Sequence, residues 1–307
     1  MDVVPLPPRS AYAGSNGGVS RVSARISSYE PRTSCFIATL PRSGSWLLSE
    51  SLFNTGLAGE ANEYFRPDFT ALWAAEWGLR DSFGYREYVS AAKRMTATCN
   101  DVFSAKLHWY QFAWLCRQLG AQNDFRQERS TTETLNDWFP NLRYVFLWRR
   151  NTARQAISYY RASVTQEWFL THKSRERTLT EAIDYQQIRW FEDVLLEHKE
   201  NWLAYFAGNR ITPLEVLYED FVTSYEATVR RILSYLGVLS KDIAAEMPTL
   251  RRQSDGQSEW ILKRYTAIRD SLPQKPPDLF WSTEARRFRS ASLDEQRSLL
   301  GSEGASS

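Results

Sequence analysis

Four short apolar runs, each followed at once by a helix-forming stretch, constrain this chain more than any other feature. "SCFIATL" (34–40) leads through a Pro-Arg-Ser-Gly turn into "SWLLSESLFNTG", and "VFSAKLHWY" from Val102 precedes "QFAWLCRQLG". "LRYVFLWRR" (Leu142–Arg150) precedes "NTARQAISYYRASV", and "ITPLEVLYEDF" precedes "YEATVRRILSYLG". Strand-sized runs alternating with helical periodicity imply crossover connections that return successive strands parallel to one another. The expected fold is α/β, a three-layer sandwich with a central parallel sheet flanked by helices. Helical patterns over Leu179–Phe206 supply more of the covering layer.

At 43% hydrophobic residues the chain of 307 can bury a sizeable core. Residues 1–32, rich in Pro, Gly, Ser and Arg, read as a flexible N-terminal arm; 33–281 read as one domain and 282–307 as a polar tail. A formal net charge of +2 gives no field for bulk nucleic-acid binding, so any anion site must be made by local placement. Cys35, Cys99 and Cys116 lack CxxC spacing, which argues against a disulfide framework and a cysteine zinc site and suggests a reducing cytoplasm. The three histidines, His108, His172 and His198, form no ligand motif, so no metal is expected. No apolar run approaches the roughly 20 residues of a transmembrane helix.

The first turn carries the chemistry. A turn from a buried parallel strand into a helix leaves the first helical N–H groups facing the crevice at the strand's carboxyl end, where an anion fits. Gly44 lets a ligand approach the backbone, Ser43 and Ser45 offer hydroxyls, and Arg42 offers a fork suited to phosphate or sulfate. The plainer alternative is that Ser43 or Ser45 caps the helix and Arg42 is solvated. The loop is P-loop-like but lacks the Lys of GxxxxGK[ST], so it suits a nucleotide phosphate better than triphosphate hydrolysis.

Read onward, the chain shows Arg42–Ser45, then Thr55-Gly56, Gly59-Glu60 and Glu63-Tyr64-Phe65, in that order. Further on come "AKLHW" from Ala105, "RRNTARQAISYYRA" from Arg149, "LYEDF" from Leu217 and "RRQSDGQSEWILKRY" from Arg251. The ordered set, over about 35–269, resembles the bacterial trehalose 2-sulfotransferase family. That resemblance implies a 3'-phosphoadenylyl sulfate donor, released as 3'-phosphoadenosine 5'-phosphate, and a carbohydrate or glycolipid hydroxyl as acceptor. It is carried by the donor segments and does not extend over Trp73–Cys99, so the acceptor stays open.

The resemblance implies that Glu63 is the general base, since it matches the family's catalytic glutamate. Glu60 is the reserve, more naturally a partner positioning the loop, and His108 is an alternative base or acceptor contact. Arg42 and the amides of Ser43, Gly44, Ser45, Trp46 and Leu47 would cradle the leaving phosphate, with Lys106 as an extra cation. For the 3'-phosphate, Ser158 pairs with Arg149, nine positions earlier, or with Arg150, eight earlier. Arg252 and Gln253 would close the pocket. The twelve tryptophans are read as packing, and the aromatic stretch from Tyr64 to Tyr88 as an acceptor wall or dimer surface, a homodimer being a common arrangement. Two other classes fit less well: a nucleotide-dependent kinase of a small alcohol, and a non-catalytic nucleotide or carbohydrate binder of the same fold.

Overall fold

The computed structural model describes residues 29–122, 130–168, 179, 182–239 and 256–272. The residues of the arm before Tyr29, the tail 282–307, and Arg252 and Gln253 lie outside them. The arm's last residues touch the domain: Tyr29 Oη donates to Asp101 Oδ1 (2.9 Å), and Glu30 pairs with Lys93 Nζ (2.5 Å).

Four strands, β1 (Thr33–Thr39), β2 (Val102–His108), β3 (Arg143–Trp148) and β4 (Leu214–Leu217), form one parallel sheet in the order β2-β1-β3-β4. Among the described residues the helices are α1 (Ser45–Asn54), α2 (Thr70–Glu76), α3 (Tyr85–Thr96), α4 (Trp109–Gly120) and α5 (Thr131–Trp138). They continue as α6 (Thr152–Thr165), α7 (Tyr185–Gly208), α8 (Tyr218–Thr223), α9 (Tyr225–Leu236) and α10 (Gly256–Ile268). No helix among these residues is long and apolar enough to cross a membrane.

Both faces of the sheet are covered, and the strand period of two divides its side chains between them. Phe36, Ala38, Phe103, Leu107, Tyr144 and Phe146 join one core with residues of α3, α4, α6 and α7. Cys35, Ile37, Val145, Leu147 and Val216 join a second with Leu48 and Leu52 of α1 and Val229, Ile232 and Leu233 of α9. This is the expected three-layer sandwich.

The strand ends differ from the sequence-based expectation. Trp109 and Tyr110 open α4 rather than ending β2, and β3 stops at Trp148, leaving Arg149 and Arg150 beyond it. Tyr218–Phe221 start α8 rather than extending β4, and α7 begins at Tyr185, with Leu179 outside any helix. Apolar pattern cannot locate these ends, because a buried strand and the first turn of a buried helix look alike in sequence. The aromatic stretch also reads differently in three dimensions. Tyr64, Phe65, Phe69, Trp73 and Tyr88 are buried in the first core, not an acceptor wall or dimer surface. Their rings interlock; Trp73 stacks on Trp77 at 5.6 Å and meets Tyr64 edge-on at 5.0 Å.

One glycine fixes how the chain returns from α1 to the sheet edge. Gly59 sits at φ +73°, and a Cβ there would lie 2.6 Å from the Ser104 backbone nitrogen and 2.9 Å from the Val102 carbonyl oxygen. Neither atom can move without breaking β2. Gly59→Ala should therefore add left-handed strain to an overpacked contact, about 2–5 kcal/mol together. Gly56→Ala, also at positive φ but with nothing within 4 Å, should carry the strain alone. Urea denaturation of both variants checks the difference.

Candidate active site

Strand register brings the sequence motifs to one edge. Thr39 at the end of β1 is level with His108 of β2 and Leu147 of β3, and Trp148 is level with Leu217 of β4. The turn into α1, the start of α4, the Arg149 turn and the start of α8 thus all leave the carboxyl edge of the sheet, where open α/β folds bind ligands.

The turn after β1 is held from within. Ser43 donates its N–H to the Leu40 carbonyl (3.3 Å) and is fully buried. Thr39 Oγ1 donates to the Leu147 carbonyl (3.1 Å), so the 2.6 Å bond between Ser43 Oγ and Thr39 Oγ1 must carry the serine's proton. Ser43 therefore braces the loop. Helix α1 starts at Ser45 with Gly44 as its N-cap, no side-chain cap and no acid in its first turn. The capped-serine alternative is not what forms; the helix start keeps its electropositive end for an anion. Gly44, at φ +87°, lies under the Tyr218 ring, where a Cβ would come within 2.4 Å of Cδ2.

Arg42 is part-buried and occupied rather than solvated. Its Nε donates to Ser158 Oγ (3.1 Å), one terminal nitrogen donates to the Trp168 carbonyl, and its own carbonyl accepts from an Arg149 terminal nitrogen (3.1 Å). Burial, then the neighbouring Arg149 charge, brings the Arg42 pKa down to about 10. Arg149 lies over the Tyr218 ring at 4.0 Å. Arg150 turns away: its side chain is 68% exposed and reaches Asp220 Oδ1 only at 4.0 Å. Of the two strand-end arginines, Arg149 is the one joined to Arg42, and through it to Ser158.

Glu63 stands on the other side of the same edge. Asn62 makes a one-residue parallel bridge to Ala105, its carbonyl accepts from the Lys106 N–H (2.9 Å), and its Oδ1 accepts from the Glu63 N–H (2.8 Å). That bridge brings Glu63, 43 residues upstream of Lys106 in sequence, to the outer side of β2. Lys106 Nζ lies 3.0 Å and His108 Nε2 3.6 Å from Glu63 Oε1; Gln111 Nε2 donates to Oε2 at 2.7 Å, and an Arg66 terminal nitrogen is 3.8 Å from Oε2. Burial pushes the Glu63 carboxyl up, but Lys106, His108 and Arg66 outweigh it and hold the group well below the ordinary carboxylate range. The group is an ionised, desolvated carboxylate, anchored at both oxygens. Lys106 Nζ also lies 4.9 Å from the Trp46 ring centroid, so it links Glu63 with the first turn of α1.

Glu60 is fixed through its backbone: its N–H donates to the Thr96 carbonyl (2.9 Å), and its carbonyl accepts from Tyr64 Oη (2.5 Å). Sequence reasoning missed Gln111, Arg66, Tyr218 and the Thr39 brace. Gln111 had a signal, since it stands three residues after the helix-preceding His108, the spacing of a capping box. Tyr218 is the first residue after β4, a strand-end position of the same kind as Arg149.

The arrangement can hold anionic groups. An uncapped helix start and two arginines lie on one side, and a carboxylate with its own lysine on the other. Comparison with known proteins identifies the family. A protein-family model described as Stf0 sulphotransferase matches residues 34–268. The chain is 30% identical over 251 residues to a trehalose 2-sulfotransferase of Mycobacterium tuberculosis (strain Erdman), covering 74% of this chain and 91% of the relative. It is 28% identical over 273 residues to a trehalose 2-sulfotransferase of Mycolicibacterium smegmatis, covering 78% and 98%. Among solved structures, a sulfotransferase from Alicyclobacillus acidocaldarius overlaps with a TM-score of 0.43 at 16% identity, over 78% of this chain and 92% of that one. With the family match running from the second residue of β1 to the last of α10, this chain belongs to the Stf0 sulphotransferase family.

Proposed function

We propose that the protein transfers a sulfonate group from 3'-phosphoadenylyl sulfate to a carbohydrate hydroxyl, with Glu63 as the general base. The observation that carries this reading is the 3.0 Å pairing of buried Glu63 with Lys106, beside an uncapped helix start served by Arg42 and Arg149. The donor supplies an activated sulfonate on a phosphate leaving group. The α1 amides and Arg42 would hold the 5'-phosphate end, and Arg149 with Ser158 the 3'-phosphate. Glu63 would orient the acceptor hydroxyl and take its proton, which requires an approach of about 3 Å.

Lys106 joins the two halves. It pairs with Glu63 and lowers the carboxylate's basicity. Lys106 would also face negative charge on the phosphate side; as it is drawn there, its hold on Glu63 would loosen and Glu63 would become the stronger base for the acceptor proton. Trehalose is the first acceptor to try, because the two mycobacterial relatives carry that name. Around Glu63, Tyr110 and Arg66 offer donors suited to a polyhydroxylated ligand.

Two measurements test the reading. 3'-Phosphoadenosine 5'-phosphate at a hundredfold over its Kd should stabilise the fold by about 2.7 kcal/mol, or roughly 5–10 °C in Tm for a domain of this size. Radiolabelled sulfonate should then pass from the donor to trehalose or to a member of a panel of disaccharides and glycolipids. Absence of a thermal shift at saturating nucleotide would reject the donor assignment.

A further inference from the structure

We propose that Gln111 is a positioning residue for the sulfonate-transfer reaction, holding the Glu63 carboxylate in its ionised form and fixed orientation. The proposal rests on the reading of Glu63 as base. Gln111 is the third residue of α4, is fully buried, and uses both ends of its amide. Its Oε1 accepts from the His108 backbone N–H at 3.0 Å; its Nε2 donates to Glu63 Oε2 at 2.7 Å and to Tyr110 Oη at 3.1 Å. The orientation of the amide is forced by its partners. A backbone N–H can only donate, so the oxygen must face His108 and the NH2 must face the carboxylate.

The two bonds do different work. Closing the first turn of a helix needs only the acceptor oxygen, and Glu serves at that position as well as Gln. Donation to Glu63 needs the amide nitrogen, which an ionised Glu lacks. Gln is therefore the residue that meets both demands at once. The bond also links segments 48 residues apart, tying the carboxylate to the strand-to-helix corner that carries Lys106 and His108. With Lys106 and His108 on Oε1, and Gln111 on Oε2 with Arg66 at 3.8 Å behind it, the plane of the carboxylate is set before any acceptor arrives. A hydrogen bond donated to the charged form favours that form. Its removal should raise the Glu63 pKa and leave Oε2 with only the 3.8 Å approach of Arg66, while Lys106 and His108 still hold Oε1.

Gln111→Met removes the donation without adding charge, and Gln111→Glu keeps the helix-closing oxygen while removing the donor. The Glu63 carboxyl is titrated by carbon-13 NMR in ligand-free protein, its signal assigned by its loss in Glu63→Gln, and melting temperature and transfer kinetics are followed beside it. In Gln111→Met the Glu63 titration should move up by about one pH unit or more. The acid limb of kcat/KM should move with it, and kcat should fall about tenfold to hundredfold with KM for the donor unchanged. Gln111→Glu puts a second carboxyl at hydrogen-bond distance from Glu63 Oε2, so it should melt below the parent protein and show the same direction of change in the titration and in kcat. A folded Gln111→Met with the Glu63 titration unmoved overturns the proposal; should that variant not fold, a Gln111→Glu protein with parental titration and kcat does so. Because the titration needs no turnover, it separates the two ideas. An active Glu63→Gln protein would remove Glu63 from the base role while leaving the hold of Gln111 on the carboxylate still measurable.

Discussion

Glu63→Gln is expected to lower sulfonate transfer by about 10²–10⁴-fold, the usual contribution of a positioned base, while leaving the affinity for 3'-phosphoadenosine 5'-phosphate nearly unchanged. The amide keeps the size of the side chain and can still accept from Lys106, but it cannot take a proton. The nucleotide contacts proposed for Arg42, Arg149 and Ser158 form a separate set, joined to one another and not to Glu63. Steady-state transfer and isothermal titration with the nucleotide check the two halves, and unchanged turnover in the variant would exclude Glu63 as the base. The pH dependence has a definite sign. Because the native pKa is depressed, the carboxylate persists below the ordinary glutamate value of about 4.3, so no Glu63 titration should appear in ligand-free protein between pH 5 and 8. Its contribution to stability is full above the unfolded value and is lost as pH falls through the depressed native value.

Lys106→Met should be the second large loss, about 10²–10³-fold in kcat, comparable with removing one donor from a site that stabilises developing negative charge. The variant should also shift the acid limb of the rate profile upward, since Lys106 is the strongest of the neighbours holding Glu63 ionised. That upward shift distinguishes it from Glu63→Gln, which abolishes the limb. Stability should respond unequally. Without Lys106, Glu63 keeps Gln111, His108 and Arg66. Without the charge of Glu63, Lys106, only 2% exposed, is left with the weaker amide acceptor and the Trp46 ring, a loss of up to about 3 kcal/mol. The double variant should recover part of that loss, as expected for a coupled buried pair. Chemical denaturation of the two single variants and the double variant completes the cycle.

Much of the architecture was legible because local pattern and tertiary layering share a cause. Phe36 and Ala38 alternate with Cys35 and Ile37, and both sets are apolar because both faces of β1 are covered. The element ends were less legible. Trp109 and Tyr110 suit a strand as well as a helix, and only the connection to α4 assigns them. The role of Ser43 was hidden for another reason. A hydroxyl beside Gly44 can serve a ligand or brace the loop, and the position of Thr39 between Ser43 and the Leu147 carbonyl selects the brace. The aromatic run after Glu63 has a composition suited to an exposed sugar platform or to a core, and the packing of Tyr64, Phe65 and Tyr88 makes it core.

By itself the sequence determined the alternation of strands and helices, the glycine-bearing turn into α1 without a Walker lysine, and the acid that follows a helix later. Those are properties of neighbours along the chain, set by backbone geometry and side-chain period. The tertiary structure alone decided that Arg149 rather than Arg150 meets Arg42, that Gln111 holds Glu63, and that Lys106 stands 3.0 Å from it. These contacts span from 43 to 107 residues, and their existence depends on strand register and on the Asn62 bridge. A carboxylate acquires its protonation state from what surrounds it in space, and no local sequence pattern specifies that surrounding.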